Sequence, residues 1–146
     1  MIALSYLKAK GYIVRVMSDD SMVRWLAKKL DCEIVGLNNL GEFDLFLCVH
    51  GHKIIPKEYL TKGVWVNIHP MLGLYDGHNP IKRYIENGDT EGWVSSHHMV
   101  EKVDSGERIY TINFHTGKCN NYADFYNTAF KTYFVCIDNT LEILGI

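Results

Sequence analysis

Gly63-Val64-Trp65-Val66-Asn67-Ile68-His69-Pro70 is an apolar run that closes on two polar side chains and a proline. Its β-branched and aromatic content predicts a short buried strand, one of a series set among helical patterns. Residues two apart on a strand face the same way, so Asn67 and His69 aim at one spot at the strand's carboxyl end. That is where open α/β sheets bind ligands. A carboxamide beside an imidazole offers two hydrogen-bond donors, one able to carry charge, suited to an oxygen that turns negative during acyl transfer. By pattern alone, a structural pair satisfying backbone groups at a loop mouth is the favoured reading.

Working toward the amino terminus, Leu45-Phe46-Leu47-Cys48-Val49 reads as a second buried strand, followed by a brief helix after Pro56. Residues 12–17 are β-rich. Ser18-Asp19-Asp20-Ser21 then offers N-caps to a helical pattern in which Val23, Leu26, Ala27 and Leu30 share a face, and a short strand at Glu33-Ile34-Val35 follows. Strand, helix, strand is the order of a Rossmann-like α/β sheet. Toward the carboxyl terminus, Asn79 with Pro80 starts a helix that ends at Asn87-Gly88. Residues 93–100 and 108–114 are β-rich and flank the turn Asp104-Ser105-Gly106, and Tyr122, Tyr126, Ala129 and Tyr133 recur at helical spacing as core or a homodimer face.

A length of 146 residues with 47% hydrophobic content fits a single domain, 1–146, able to bury a core without staples. The net charge of −2 spreads 15 basic residues without a stripe, so no nucleic-acid partner is expected. No apolar stretch nears the roughly 20 residues a membrane span needs, and no leader pattern opens the chain, so a soluble cytoplasmic protein without a membrane partner is expected. Cys32, Cys48, Cys119 and Cys136 share no zinc-type spacing and read as reduced thiols. His50-x-His52 lacks a third ligand at a recognisable spacing, and His97-His98 point to opposite faces if extended, so no metal is expected.

Taken in series, Phe43-Asp44-Leu45-Phe46-Leu47-Cys48-Val49, the Asn67-Ile68-His69-Pro70 strand end, Asn79-Pro80-Ile81, Asn87-Gly88-Asp89-Thr90 and Val103-Asp104-Ser105-Gly106-Glu107-Arg108-Ile109 resemble the formyltransferase family that uses 10-formyltetrahydrofolate. The resemblance spans residues 43–110 and rests on the order and separation of these matches. It implies a Rossmann-like formyltransferase fold, with Asn67, His69 and Asp104 on the three catalytic positions. It also implies that the pterin of 10-formyltetrahydrofolate lies against the backbone of His52, Lys53, Ile54 and Ile55 and of Val100, Glu101 and Val103. In that role Asn67 and a protonated His69 hydrogen-bond the oxyanion, and Asp104 takes the proton of the attacking amine. Without the resemblance, Asp104 is a turn former.

The chain departs from the family pattern at two places. Met71-Leu72-Gly73-Leu74 replaces a small hydroxyl residue and a Leu-Leu-Pro run, one residue short of the usual length before Gly77. The chain also starts at a helical pattern over residues 2–10, so the family's first strand is expected to be missing, unless residues 2–7 are that strand. Three readings follow. The first is a formyltransferase acting on a small-molecule primary amine, with a nucleotide-linked amino sugar as the favoured acceptor. The others are a non-catalytic ligand-binding relative and a methionyl-tRNA formyltransferase-like enzyme.

Overall fold

A computed structural model describes residues 2–19, 21–49 and 54–146. Two compact units divide the chain, Met1–Phe43 and Asp44–Ile146.

In the first unit, helix α1 (Ile2–Ala9) precedes strand β1 (Arg15–Val16), helix α2 (Ser21–Lys29), strand β2 (Glu33–Ile34) and a single 3-10 turn. The strands pair in parallel, Arg15 with Glu33 and Val16 with Ile34. Leu4, Val16, Ala27 and Cys32 form the core, with Val14, Val23, Leu26, Leu30 and Ile34 packed on it. The face expected from Val23, Leu26, Ala27 and Leu30 is therefore the face that packs. Because residues 2–7 are helical, the alternative in which they form a first strand is ruled out. The strand expected over 12–17 shrinks to two residues, since only Arg15 and Val16 find ladder partners.

The second unit carries the larger sheet. Strands β3 (Leu45–Val49), β4 (Val64–Pro70), β5 (Glu91–His98) and β6 (Arg108–His115) pair in the order β3-β4-β5-β6, with helices α3 (Lys57–Leu60), α4 (Pro80–Asn87) and α5 (Tyr122–Leu144) between and after them. Only β3 and β4 run parallel; β5 and β6 continue the sheet antiparallel. The 71–79 loop and α4 lead from β4 into β5, and the short loop 99–107 leads into β6. This is a mixed α/β, Rossmann-like fold.

β4 is the central strand and has its core side chains on both faces: Trp65, Val66 and Ile68 are all but inaccessible. The apolar residues predict a strand over residues 64–68, and β4 runs on to Pro70. Met71 donates its N–H to Trp93 O at 2.8 Å, so by alternation the Pro70 nitrogen turns toward β3, whose register with β4 ends at Val49 and Ile68. A proline is tolerated there because no ladder bond is demanded of it.

Helix α5 is capped by Asn121, whose side chain accepts from Asp124 N–H, and ends at Gly145, which takes the left-handed conformation open to glycine. It buries Phe125, Ala129, Thr132, Tyr133, Cys136, Ile137, Thr140 and Leu141, spaced by three and four. The expected stripe is thus rotated. Ala129 and Tyr133 are core, but Tyr122 is exposed and Phe125 takes the inward place, meeting Tyr84 and Phe114 edge to face at 5.4 Å each. Gly92 makes room for this cluster, since a Cβ there would fall 2.7 Å from Phe114 Cζ. Burial also raises the Cys136 thiol to about 11, and all four cysteines are free, as their spacing suggested. Among the described residues no helix is long and apolar enough to cross a membrane.

Candidate active site

The β4 register brings the functional side chains to one face. Asn67 lies opposite His97 of β5, and His69 opposite Ser95. Asp104 arrives from the 99–107 loop, at φ 56°, a left-handed conformation that aspartate tolerates better than most residues. The next glycine is required by space. A Cβ on Gly106 would fall 1.7 Å from the His98 carbonyl oxygen, so only glycine lets this loop close against the end of β5.

The Asp104 carboxylate is the centre of the cluster. Its Oδ2 lies 3.3 Å from His69 Nε2 and accepts the Gly77 N–H at 2.7 Å, while its Oδ1 faces Asn67 Nδ2 at 3.4 Å. The His69 and Asp104 side chains are 8% and 5% exposed. His69 Nδ1 sits 2.8 Å from Pro70 O, and a carbonyl can only accept, so Nδ1 carries a hydrogen and Nε2 is the atom turned to the site. The separations to Asn67 and His69 exceed the 2.7–2.9 Å of tight charge-assisted bonds, which leaves both donors able to turn to a reacting oxygen. The residues expected to act together, Asn67, His69 and Asp104, do meet.

His97 was missed. It is almost fully buried, its Nδ1 is 3.0 Å from His98 O, and its Nε2 is 3.5 Å from Asp104 Oδ1. That distance falls within ion-pair range, and Nε2 has no hydrogen-bond partner among the described residues. Burial holds the ring below the ordinary histidine value, against opposing pulls from the His98 carbonyl and from Asp104. The unbroken β4–β5 register explains the aim of this side chain, since His97 lies opposite Asn67 and two residues from Ser95, opposite His69, so all share one face. On the other edge of β5 the ladder is irregular: Ser96 pairs with Tyr110 but His97 with Arg108, so Ile109 of β6 is an extra residue. The available signal was the adjacency of His97 to β4 through pairing, which the spacing of histidines alone does not carry.

The divergent loop is firmly held. Arg83 Nη2 donates to the carbonyls of Tyr75, Asp76 and His78 at 2.7–3.0 Å, and Leu72 O accepts from Arg108 Nη2 at 2.7 Å and Trp93 Nε1 at 3.1 Å. The Tyr75 hydroxyl donates to Asp89 at 2.5 Å, which raises its pKa. These bonds set Gly77 N–H against Asp104 even though the usual loop sequence is absent.

The expected folate segments divide. Ile54, Val100 and Val103 are exposed apolar residues, whereas Ile55 is buried and belongs to the core. His52 and Lys53, like His50, lie outside the described residues. Lys57 Nζ and Glu101 Oε2 pair at 2.7 Å, which draws the chain after Ile54 to the 99–107 loop. That hydrogen bond also raises the Lys57 ammonium above its ordinary value. Exposed apolar side chains of this kind are surface that a ligand can cover.

The family model described as formyl transferase matches residues 3–128. The methionyl-tRNA formyltransferase of Borreliella afzelii (strain PKo) is 35% identical over 99 residues, which cover 65% of this chain and 31% of that protein. The chain spans about a third of the length of the curated relatives it matches. Among solved structures, phosphoribosylglycinamide formyltransferase from Streptococcus pneumoniae TIGR4 shares the fold at TM-score 0.78 and 19% identity, covering 94% of this chain and 90% of that one. HypX from Aquifex aeolicus in complex with tetrahydrofolic acid does so at TM-score 0.68 and 20% identity, over 90% of this chain and 26% of that one. With the family match running over most of its residues, the chain belongs to the formyl transferase family.

Proposed function

We propose that this chain transfers a formyl group from 10-formyltetrahydrofolate to a primary amine, with Asn67, His69 and Asp104 as catalytic residues. The observation that carries the reading is the meeting of a carboxamide, an imidazole and a carboxylate within 3.3–3.4 Å in a nearly closed site. The folate donor supplies the activated formyl carbon when bound. Asn67 Nδ2 and the Nε2–H of a protonated His69 donate to the oxygen on which negative charge develops. Asp104 accepts the proton of the attacking amine, directly or through one water, and returns it to the leaving nitrogen. Ile54, Val100, Glu101 and Val103, with His52, Lys53 and the backbone of Ile55, form the folate-binding side of this proposal. All three catalytic residues lie in the unit Asp44–Ile146, and the action of residues 1–146 as one catalytic domain is part of the same reading.

The favoured acceptor is a small amine, with a nucleotide-linked amino sugar first, because no basic stripe is present to hold a polyanion. The matched relatives are methionyl-tRNA formyltransferases, which favours a second reading, the amino group of a methionyl-tRNA. The test offers 10-formyltetrahydrofolate with a panel of amines (amino sugar nucleotides, glycinamide ribonucleotide and methionyl-tRNA) and scores release of tetrahydrofolate. Asp104→Asn serves as the control and is expected to be at least a hundredfold slower. Preference for methionyl-tRNA selects the second reading; release with no amine overturns formyl transfer in favour of a ligand-binding relative.

A further inference from the structure

Beyond the catalytic cluster, the same face of the sheet continues to its β6 edge. Directly paired strand residues share a face, so the row Asn67, His97, Arg108 and the pairs Trp93–Asn113 and Glu91–His115 all stand on the side that carries His69. Glu91, Trp93, Asn113 and His115 line an open hollow of about 580 Å³. Arg108 meets it. Its Nη2 and the Trp93 Nε1 donate to the same Leu72 carbonyl, at 2.7 and 3.1 Å, so guanidinium and indole lie side by side at the rim. The seat is close: a Cβ on Gly73 would fall 2.6 Å from Arg108 Nη2. A guanidinium carries five N–H donors, and here one carbonyl takes one of them. No carboxylate pairs with this exposed cation among the described residues.

Resting on the proposed transfer to an amine, we infer that this hollow is the subsite for the nucleotide part of a nucleotide-linked acceptor: Arg108 holds the diphosphate, and Trp93 with Asn113 takes the base. A planar fork of donors matches phosphate oxygens, and an aromatic ring offers a base a stacking surface. The half-buried Trp93 is fixed by its bond to Leu72 O, and the exposed Asn113 across from it brings donors and an acceptor for a base edge. His115 accepts the Gly117 N–H on Nδ1 at 3.3 Å, so the neutral ring carries its hydrogen on Nε2, and Glu91 opposite it can accept from a hydroxyl. That same carboxylate, at the far end of the hollow from Arg108, repels a continuing phosphate backbone, which favours a short anion over a nucleic-acid strand. Two strand spacings, about 10 Å, separate the Arg108 and Asn67 positions. One sugar ring between diphosphate and amine closes that gap.

The test reads binding to the full chain by calorimetry, without folate or turnover. The probes are ADP, UDP and dTDP, the nucleoside of each, and the RNA trinucleotide CCA. At least one diphosphate is expected to bind saturably, about tenfold or more tighter than its nucleoside. Arg108→Met should remove that gain, bringing the two within threefold, while Arg108→Lys keeps most of it. Trp93→Leu should weaken nucleoside and diphosphate alike by about fivefold. No saturable diphosphate binding, an unchanged gain in Arg108→Met, or tighter binding of CCA than of every diphosphate overturns the inference. If Arg108→Met does not fold, Asn113→Ala decides: its exposed side chain bonds to nothing among the described residues, and diphosphate affinity unchanged in that variant overturns the inference as well. In turnover, Arg108→Met should raise the KM of a nucleotide-linked amino sugar at least tenfold, more than it lowers kcat; a lowered kcat at unchanged KM makes Arg108 a loop clamp and overturns it. Formyl transfer without diphosphate binding sinks this inference alone. Diphosphate binding without transfer to any amine sinks the proposed function and leaves the subsite standing.

Discussion

His69 and Asp104 leave 8% and 5% of their side chains in solvent, whereas Ile54 and Val103, on the two segments joined by the Lys57–Glu101 pair, are 76% and 54% exposed. The polar groups are inside and the apolar ones outside, the reverse of the usual distribution. Burying the polar centre strengthens each of its electrostatic interactions and fixes the donors before any ligand arrives. Exposing the rim has a different logic, since apolar surface facing water is surface that a ligand can cover. On the proposed reading, the comparison separates the buried polar cluster of Asn67, His69 and Asp104 from the exposed apolar side chains near it, with the 99–107 loop contributing to both.

The polar side of this contrast is tested hardest by His69→Ala and Asn67→Ala. Each is expected to slow formyl transfer by about 10²–10³, while folate affinity stays within twofold, as for the loss of one oxyanion donor. Single-turnover rates within threefold of the parent for both variants would remove the buried pair from the mechanism. Next in size is Gly106→Ala. The added methyl meets the His98 carbonyl, which belongs to backbone and cannot swing away, so the 99–107 loop must shift and take Asp104 with it. Roughly 1–3 kcal/mol of stability should be lost, with transfer reduced at least tenfold. An unchanged thermal midpoint would mean that the loop is more pliable than its packing implies.

The rim is sharpened by Ile54→Ser. Removing exposed apolar surface costs the folded protein little, but covering it should contribute about 1 kcal/mol to ligand affinity. Folate dissociation constants three- to tenfold weaker, with the rate at saturation unchanged, are expected in titration calorimetry; a lowered rate with unchanged affinity would assign Ile54 to the chemistry instead. The smallest effect concerns pH. His97 titrates below the ordinary histidine value when folded and near 6.5 when unfolded, so the unfolded chain binds more protons as acid is added. The stability tied to a neutral His97 is therefore complete above about pH 6.5 and lost as pH falls through the lowered value. Between pH 7.5 and 5.5 the thermal midpoint of the parent should fall further than that of His97→Gln, and parallel curves would show that another group drives the loss.

Much of this was legible in the chain because its signals are local. The β-rich run from Val64 announces a buried strand, Asn79-Pro80 and Gly88 mark both ends of α4, and the period of two puts Asn67 and His69 on one face. Asp104 was found through order and separation in a family-like series, since Asp-Ser-Gly alone states only a turn. What escaped the sequence depends on partners distant along the chain. The split of Ile54 from Ile55 into rim and core follows from which neighbours cover each one, and two adjacent isoleucines look alike in a pattern. Phe125 displaces Tyr122 from the inner face of α5 because Gly92 opens a hollow on β5 for the aromatic cluster.

By itself, then, the sequence determined the alternation of strands and helices and the pairing of Asn67 with His69, because both arise from residue spacing along a single element. Tertiary structure alone decided that the 99–107 loop folds back until Asp104 lies between two imidazoles. That required a glycine at 106 against the His98 carbonyl, the β4–β5 register that sets His97 opposite Asn67, and the Gly77 N–H from the 71–79 loop to anchor the carboxylate. Each of these is a contact between segments whose separation in sequence carries no trace of their closeness in space.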